Sequence, residues 1–506
     1  MNTQYSQLLK RIYLATNNLA IVKINYKTSI HGMNMLQKWT TIAILLASLF
    51  STTVRADDYP DCMDLYVDGM YMGGCTLTLD GVEKINQYFI NHNENTFFLL
   101  LDVHMEKGVS EALVTVLENN NQITDLRVYS TNFAATELQH LAKNDHLLSV
   151  ELVDNNFDEA SFLSLAANKS IERLVLGEHA VSISALNTFL DEHPIKSLGL
   201  NSLTLSENDL QELFTKHSSF HSLYLTNLQV KDLNALSLLN NIEYLGIFSM
   251  HVSDEDLAQI ATLKSLKAID LSSTDVTPTG TNHLAQLKNL ESVYMDIYPT
   301  QTNETPGVGD AGVAFIKELP HLKSVYLKNQ RLTKEAAMTI GQNKNLTEVQ
   351  LPGNEIGDEG AIILNSLPNL EELGLTYNNI GDMAAVVIAN NNSIVRINLS
   401  ENHIGDIGGV ALANKTNLSR LNIMFNQLTD ISANAFAKRT SPLKWLIVYN
   451  NLFSEAGIDA LYTNKNIEYV GAGDSPQLQH HLLVRKLNKK DHRLYSNNIP
   501  WLTVPK

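Results

Sequence analysis

Short L-x-L segments recur down the chain, each followed by a stretch in which apolar residues return every three to four positions. Alternation at period two predicts a strand with one buried face. The three-to-four rhythm predicts a short amphipathic helix. Anchored on their two apolar residues, the segments run Leu126/Val128, Val150/Leu152, Leu174/Leu176, Leu198/Leu200, Leu223/Leu225, Leu245/Ile247, Ile269/Leu271 and Val293/Met295. They resume as Val325/Leu327, Val349/Leu351, Leu373/Leu375, Ile397/Leu399, Leu421/Ile423, Leu446/Val448 and Val470/Ala472. Of the fourteen intervals ten are 24 residues, two are 25, one is 22 and one is 32. A register held this long predicts one array of stacked strand-helix units, since a single unit cannot bury its own apolar face. Weaker segments at Leu77/Leu79 and Leu99/Leu101 predict two earlier strands.

Within a unit the pattern is L-x-x-L-x-L-x-x-N-x-I-G-D-x-G-A, clearest in Leu370 to Leu375 with Asn378 and Ile380-Gly381-Asp382, and at Ile397 with Asn402 and Ile404-Gly405-Asp406. This resembles the leucine-rich-repeat family, in its ribonuclease-inhibitor-like and bacterial GALA-type variants, across about residues 76–474. The resemblance implies an α/β leucine-rich-repeat solenoid: curved, with parallel strands on the concave face and short helices on the convex face. Asn354, Asn378, Asn402, Asn426 and Asn451 recur at the turn ending each strand, where a buried amide can satisfy backbone groups that the turn leaves open. The N-terminal half has Thr131, Asn155, His179, Leu203, Leu228, Met250 and Thr274 there instead, which predicts less regular turns. His179 reads as a hydrogen-bonding histidine and not as a metal ligand, since no second ligand stands at a suitable spacing.

The 32-residue interval carries eight extra residues within Asp296 to Gly307, whose prolines and polar residues predict a loop on the rim. Next to it, Gly307-Val308-Gly309-Asp310-Ala311-Gly312 matches G-x-G-x-x-G, a pattern of dinucleotide sites. It also aligns with Ile356-Gly357-Asp358-Glu359-Gly360, so the repeat itself accounts for it. No nucleophile elbow, zinc-protease helix, phosphate loop or calcium loop occurs, and no metal or cofactor is implied. Ubiquitin-ligase, F-box and GTPase-activating roles of related repeat proteins do not carry over. The first needs a catalytic cysteine domain, the second a helical segment before the repeats, and the third a cytosolic setting with a specific arginine. The reading is therefore non-enzymatic.

Charge changes the picture at the ends. The 506 residues carry a formal −17, but residues 1–56 hold six basic residues and no acid. Residues 477–506 hold six basic residues and one acid. The body from Asp57 to Pro476 is left with 25 basic and 53 acidic residues, a formal −28. So acidic a body argues against nucleic acid as a partner and for a basic or neutral protein. Near the N-terminus, Lys38 precedes an apolar run of about 12 residues ending at Phe50, and a small-x-small site follows at Val54-Arg55-Ala56. The run is too short to span a bilayer and predicts a secretory signal peptide, residues 1–56. Residues 1–32 would lie upstream of the true start if translation begins at Met33 or Met35. The predicted location is outside the cytoplasm (periplasm or secreted), with an uncleaved membrane anchor as the alternative.

Cys62 and Cys75, the only cysteines, predict a disulfide in an exported protein. The bridge would close a hairpin-like cap over residues 57–76, with a turn at Gly73-Gly74. The repeats then occupy 77–474, and a C-terminal cap with a basic tail occupies 475–506. That tail has Leu478, Leu482, Leu483 and Leu487 with Arg485, Lys486, Lys489 and Lys490. It predicts an end cap for the array or, as the alternative, a contact with an anionic membrane surface.

The chemistry left to such a body is recognition. Middle and flanking strand positions point away from the core, and there Tyr224, Tyr244, Phe248, Tyr294 and Tyr326 gather beside the extra loop. Trp445 and Tyr449, with Met424 and Phe425, form a second group near the C-terminal end. Aromatic side chains without a core to fill are characteristic of protein-binding hot spots. The expected function is binding of a protein partner through the concave face. The alternative is a secreted effector of a pathogen or symbiont that regulates a host protein inside the host cell.

Overall fold

A computed structural model describes residues 70–77, 97–105 and 109–472, apart from 130–134, 156, 178–180 and 299–306, plus a few helical positions between 79 and 87. The export segment, Cys62 and hence the proposed disulfide, His179, most of the extra loop and the basic tail lie outside these residues.

The described residues form one all-parallel sheet of seventeen strands, from Met70–Leu77 to Ile467–Gly471. Each strand pairs with the next in the chain, so the sheet order is the sequence order. The register is that of the repeat: Leu126 pairs Val150, Val150 pairs Leu174, and so on through Ile269, Val293, Val325 and Val349 to Val470. The first apolar residue of each segment from Leu126 to Leu446 is buried. Short helices such as Ile183–Glu192, Glu207–Lys216 and Gly357–Asn365 close the other side of this continuous core. Strands lie about 4.8 Å apart and helices about 8–10 Å, so stacking puts the strands on the inner side of the curve.

Two kinds of rung tie the units together. Asn378 donates through Nδ2 to the Leu351 and Thr376 carbonyls at 2.7 and 2.9 Å, and its Oδ1 accepts the Ile356 N–H. Asn354, Asn402, Asn426 and Asn451 repeat this arrangement. The predicted ladder is therefore structural. The aspartate of the I-G-D signature serves the neighbouring unit. Asp382 Oδ1 accepts the N–H groups of Gly405 and Gly408, both at 2.8 Å, and Asp406 accepts those of Thr429 and Ser432. Each carboxylate so caps the next helix, whose first N–H groups have no partner of their own.

Three sequence expectations are corrected. Residues Met70–Leu77 are not part of a hairpin turning at Gly73-Gly74. They are a strand parallel to Phe97–Met105, with Met70 opposite Leu99 and Met72 opposite Leu101. The interval there is 29 residues, so the strand lies upstream of the expected Leu77/Leu79, and Leu79 is helical. The described N-terminal turns, those at Asn155, Leu203, Leu228, Met250 and Thr274, are also as regular as the C-terminal ones. A left-handed residue precedes the ladder position in both halves: Asp154, Ser202, Asn227, Ser249 and Ser273 in the first, Asn329, Gly353, Tyr377, Glu401, Phe425 and Asn450 in the second. Its N–H bonds the next unit's carbonyl in each half, as Ser202 to Thr226 and Tyr377 to Ser400 show. The third correction is Phe425, which is one of these turn residues and lies off the strand face.

The glycine-rich match is the repeat's own turn. Gly309 and Gly357 both have φ of 62°, and a Cβ on Gly312 or Gly360 would strike the side chain of Val308 or Ile356.

Candidate functional site

Strand alternation decides what the open face of the sheet carries. With Leu223, Leu245, Ile269, Val293 and Val325 turned into the core, Tyr224, Asp270, Tyr294 and Tyr326 turn outward. Tyr294 and Tyr326 stand directly opposite one another and stack, with ring centroids 4.5 Å apart and planes 16° from parallel. Tyr224 faces Gly246, and its ring leans across to Tyr244, 4.9 Å away. Gly246 is needed here: a Cβ would lie 2.7 Å from Phe248 Cε2 and 3.2 Å from Tyr244 Cε1, so both rings fold over bare backbone. Four of the five central aromatics thus form two stacks, each across a pair of neighbouring strands, with Phe248 beside the first; each ring is half-buried.

The two stacks flank the strand Ala268–Asp270, which carries no aromatic residue. Its Asp270 pairs with Gly246 on one side and Tyr294 on the other. The carboxylate faces away from the core yet is 0% exposed. Oδ1 accepts the Ser272 N–H at 2.9 Å, while Oδ2 has no hydrogen-bond partner among the described residues. Burial, opposed by the Ser272 bonds, pushes its pKa up to about 7. Asp296, one strand on, accepts the Lys328 N–H and the Tyr298 hydroxyl at 2.7 and 3.2 Å; burial raises its pKa as well. Burial raises the tyrosines Tyr224, Tyr244, Tyr294 and Tyr326, and the charge of Asp270 adds to the rise at Tyr244 and Tyr294.

Charged groups border this belt on both sides, and sequence reasoning did not single them out. Toward the N-terminus Glu151 accepts the Tyr129 hydroxyl and lies 3.6 Å from Arg127 and 3.5 Å from Arg173. The Arg173 guanidinium in turn sits 5.5 Å from the Tyr224 ring centroid. Toward the C-terminus Glu372 pairs with Arg396 Nε and accepts Gln350 Nε2 at 3.1 Å. Both borders balance their charge on the strand face: Asp125 and Glu151 against Arg127 and Arg173, Glu348 and Glu372 against Arg396 and Arg420. The centre does not, with Asp270 and Asp296 against Lys328 alone. Lys328 Nζ already lies over the Tyr298 ring, 4.6 Å from its centroid.

Trp445 and Tyr449 do not join the central group. Trp445 lies five strands beyond Tyr326, about 24 Å at the usual strand spacing, and packs on Tyr469 at 4.8 Å. Tyr449 comes close to the same spot, since a Cβ on Gly471 would meet both Tyr449 and Tyr469. Tyr469 was missed although the alternation that picks Trp445 also picks it. No group of three or more histidine, cysteine or acidic side chains able to hold a metal occurs among the described residues.

Residues 342–364, 366–389, 390–413 and 414–437 match the family model described as Leucine Rich repeat. A comparison with curated proteins finds no match. Solved structures with a similar arrangement include an internalin from Listeria monocytogenes, 18% identical, TM-score 0.41, covering 78% of this chain and 95% of that one. A leucine-rich-repeat protein of Leptospira interrogans has 18% identity and TM-score 0.41, covering 76% of this chain and 98% of that one. The mouse RP105/MD-1 complex gives 15% and 0.44, covering 80% of this chain and 75% of that one. The four matched segments are leucine-rich repeats that keep the register running through the whole sheet, and the described body is an α/β leucine-rich-repeat solenoid.

Proposed function

We propose that the chain is an exported, non-enzymatic leucine-rich-repeat protein that binds a protein partner through its strand face, centred on Tyr224, Tyr244, Phe248, Tyr294 and Tyr326. The observation that carries this reading is the pair of tyrosine stacks left half-exposed on a face whose core is already filled from the other side. Amphipathic rings held rigid by stacking lose little entropy on contact and offer both apolar area and hydroxyls. Trp445, Tyr449 and Tyr469 supply a second contact further along the same face. Export rests on the basic-then-apolar N-terminal segment with its small-x-small site, and a bridge between Cys62 and Cys75 fits that destination.

The acidic body favours a basic or neutral partner, and association should slow as salt screens the field beyond about 8–10 Å. Replacing Tyr224, Tyr294 and Tyr326 together with alanine should lower partner affinity by at least 100-fold in a pull-down followed by surface binding. The melting temperature should move by only a few degrees. Equal loss of both would show that the stacks serve the sheet and not a partner.

A further inference from the structure

The central face holds one carboxylate whose surroundings the repeat architecture does not explain. Asn398 and Asn422 occupy the same strand position and accept the N–H two residues on as Asp270 does, but they are neutral, and the one other acid there, Glu151, is paired with arginine. Asp270 is wholly buried, yet not by the core, because Ile269 takes the inward direction and is itself 0% exposed. The cross-strand neighbours of Asp270 are Gly246 and Tyr294. Gly246 beside it has no side chain, and the Tyr244 and Phe248 rings fold over that gap; Tyr294 stands on the other side. One oxygen accepts the Ser272 N–H and the other is buried without a hydrogen-bond partner among the described residues. An ionised carboxylate left so is costly unless a positive group comes to it.

We propose that the gap between the two tyrosine stacks is a receptor for a basic side chain, a lysine or arginine of the protein partner, whose charged head seats on Asp270 between Tyr244 and Tyr294. This rests on the reading of the strand face as a protein-binding surface and names the chemistry at its centre. A cation entering there meets ring faces on both sides and the unpaired Oδ2 at the bottom, a combination that suits an ammonium or guanidinium. A divalent metal would want six or more oxygen ligands, and the gap offers two carboxylates, one of them already engaged by Lys328 N–H and Tyr298. The same face already uses this chemistry on its own cations, Arg173 over Tyr224 and Lys328 over Tyr298. The charge tally agrees, since the border groups are neutralised and the centre keeps an excess acid. Residues 299–306 of the neighbouring loop contain no lysine or arginine to fill it. The half-exposed rings cover the carboxylate, so admitting a side chain requires Tyr244 or Tyr294 to swing away from its stacking partner.

The test uses the full chain and two capped tripeptides, acetyl-Gly-Arg-Gly-amide and its citrulline counterpart, which keeps the shape and loses the charge. Calorimetric or NMR titration should show saturable binding of the arginine peptide and at least tenfold weaker binding of the citrulline one. Asp270→Asn, which keeps the Ser272 bond, should weaken arginine binding at least tenfold with a melting temperature no lower than that of the unsubstituted chain. Glu255→Gln, at an exposed helix position, should leave binding within twofold. Binding should also rise from pH 6 to 8 in the unsubstituted chain and stay flat in Asp270→Asn. The ionisable groups that face Asp270 are Tyr224 and Tyr244 from the preceding strands and Tyr294, Asp296 and Tyr298 from the following one. Equal binding of arginine and citrulline overturns the receptor, as does equal loss in the two acid variants, which would mark diffuse attraction to an acidic body. If Asp270→Asn keeps full peptide binding while the triple tyrosine variant loses its partner, the receptor falls and the binding face stands. If Asp270→Asn loses the peptide while the triple variant still captures its partner, the binding face is what fails.

Discussion

The two halves of the array solve the same turn with different side chains. From Asn354 to Asn451 an amide sits at the ladder position and bonds backbone on both sides of the turn. From Leu203 to Met250 the same position is filled by a buried aliphatic or thioether side chain. The backbone is nonetheless alike, with a left-handed residue before the ladder position and an N–H to the next unit's carbonyl in both. The turn is therefore held by the interstrand ladder, and the side chain at its centre decides who satisfies the remaining groups. In the first half acids reach across instead: Asp256 Oδ1 accepts Leu233 N–H at 2.7 Å, and Asp275 accepts Val252 N–H at 2.9 Å.

This comparison breaks most clearly at Asn378, which is 0% exposed. Asn378→Leu leaves the Ile356 N–H without its partner and takes one of two donors from each of the Leu351 and Thr376 carbonyls, an expected loss of about 3 kcal/mol in denaturant unfolding. The reciprocal change, Leu228→Asn, removes aliphatic volume and buries an amide where the backbone is already served. It should cost about 3 kcal/mol. Losses under 1 kcal/mol in both variants would mean that the two turn chemistries are interchangeable.

A smaller effect concerns the helix ends. Asn144, Asn168, Asn343, Asn391 and Asn464 bond carbonyls at the end of the preceding helix, but two successive units have Lys415 and Arg439 there. Lys415 is 4% exposed, and burial, with Arg439 beside it, brings its pKa down to about 8. The unfolded lysine titrates near ~10.4, so between those values the unfolded chain holds more protons and stability should rise with pH. Below about 8 the penalty is fully present. Above ~10 the trend should reverse, because the strand-face tyrosines, whose values are raised, resist ionisation that the unfolded chain accepts. Lys415→Asn should flatten the rise between pH 8 and 10 in thermal melts. The smallest effect is at the turn itself: Phe425, exposed and left-handed with φ of 53°, should gain about 1 kcal/mol on Phe425→Gly.

Strand register was legible because one face of each strand must be buried, and a one-residue slip would expose every leucine. It failed ahead of Leu99, where methionines replace leucines, two glycines stand inside the strand and the interval is 29. The face carrying the aromatics was legible for the same reason. Their grouping was not, since Tyr294 meets Tyr326 only because the longest interval keeps register. The burial of Asp270 is set by rings on neighbouring strands, 22 to 26 residues away in sequence, and by the missing side chain of Gly246. No local pattern records that.

The longest interval has a practical consequence. Val293 and Val325 pair as closely as any 24-residue neighbours, so eight additional residues enter between these two strands without cost to the alignment on either side. Foreign segments of similar length, grafted after other strands, should therefore be accepted as passengers, each displayed at the margin of the same surface.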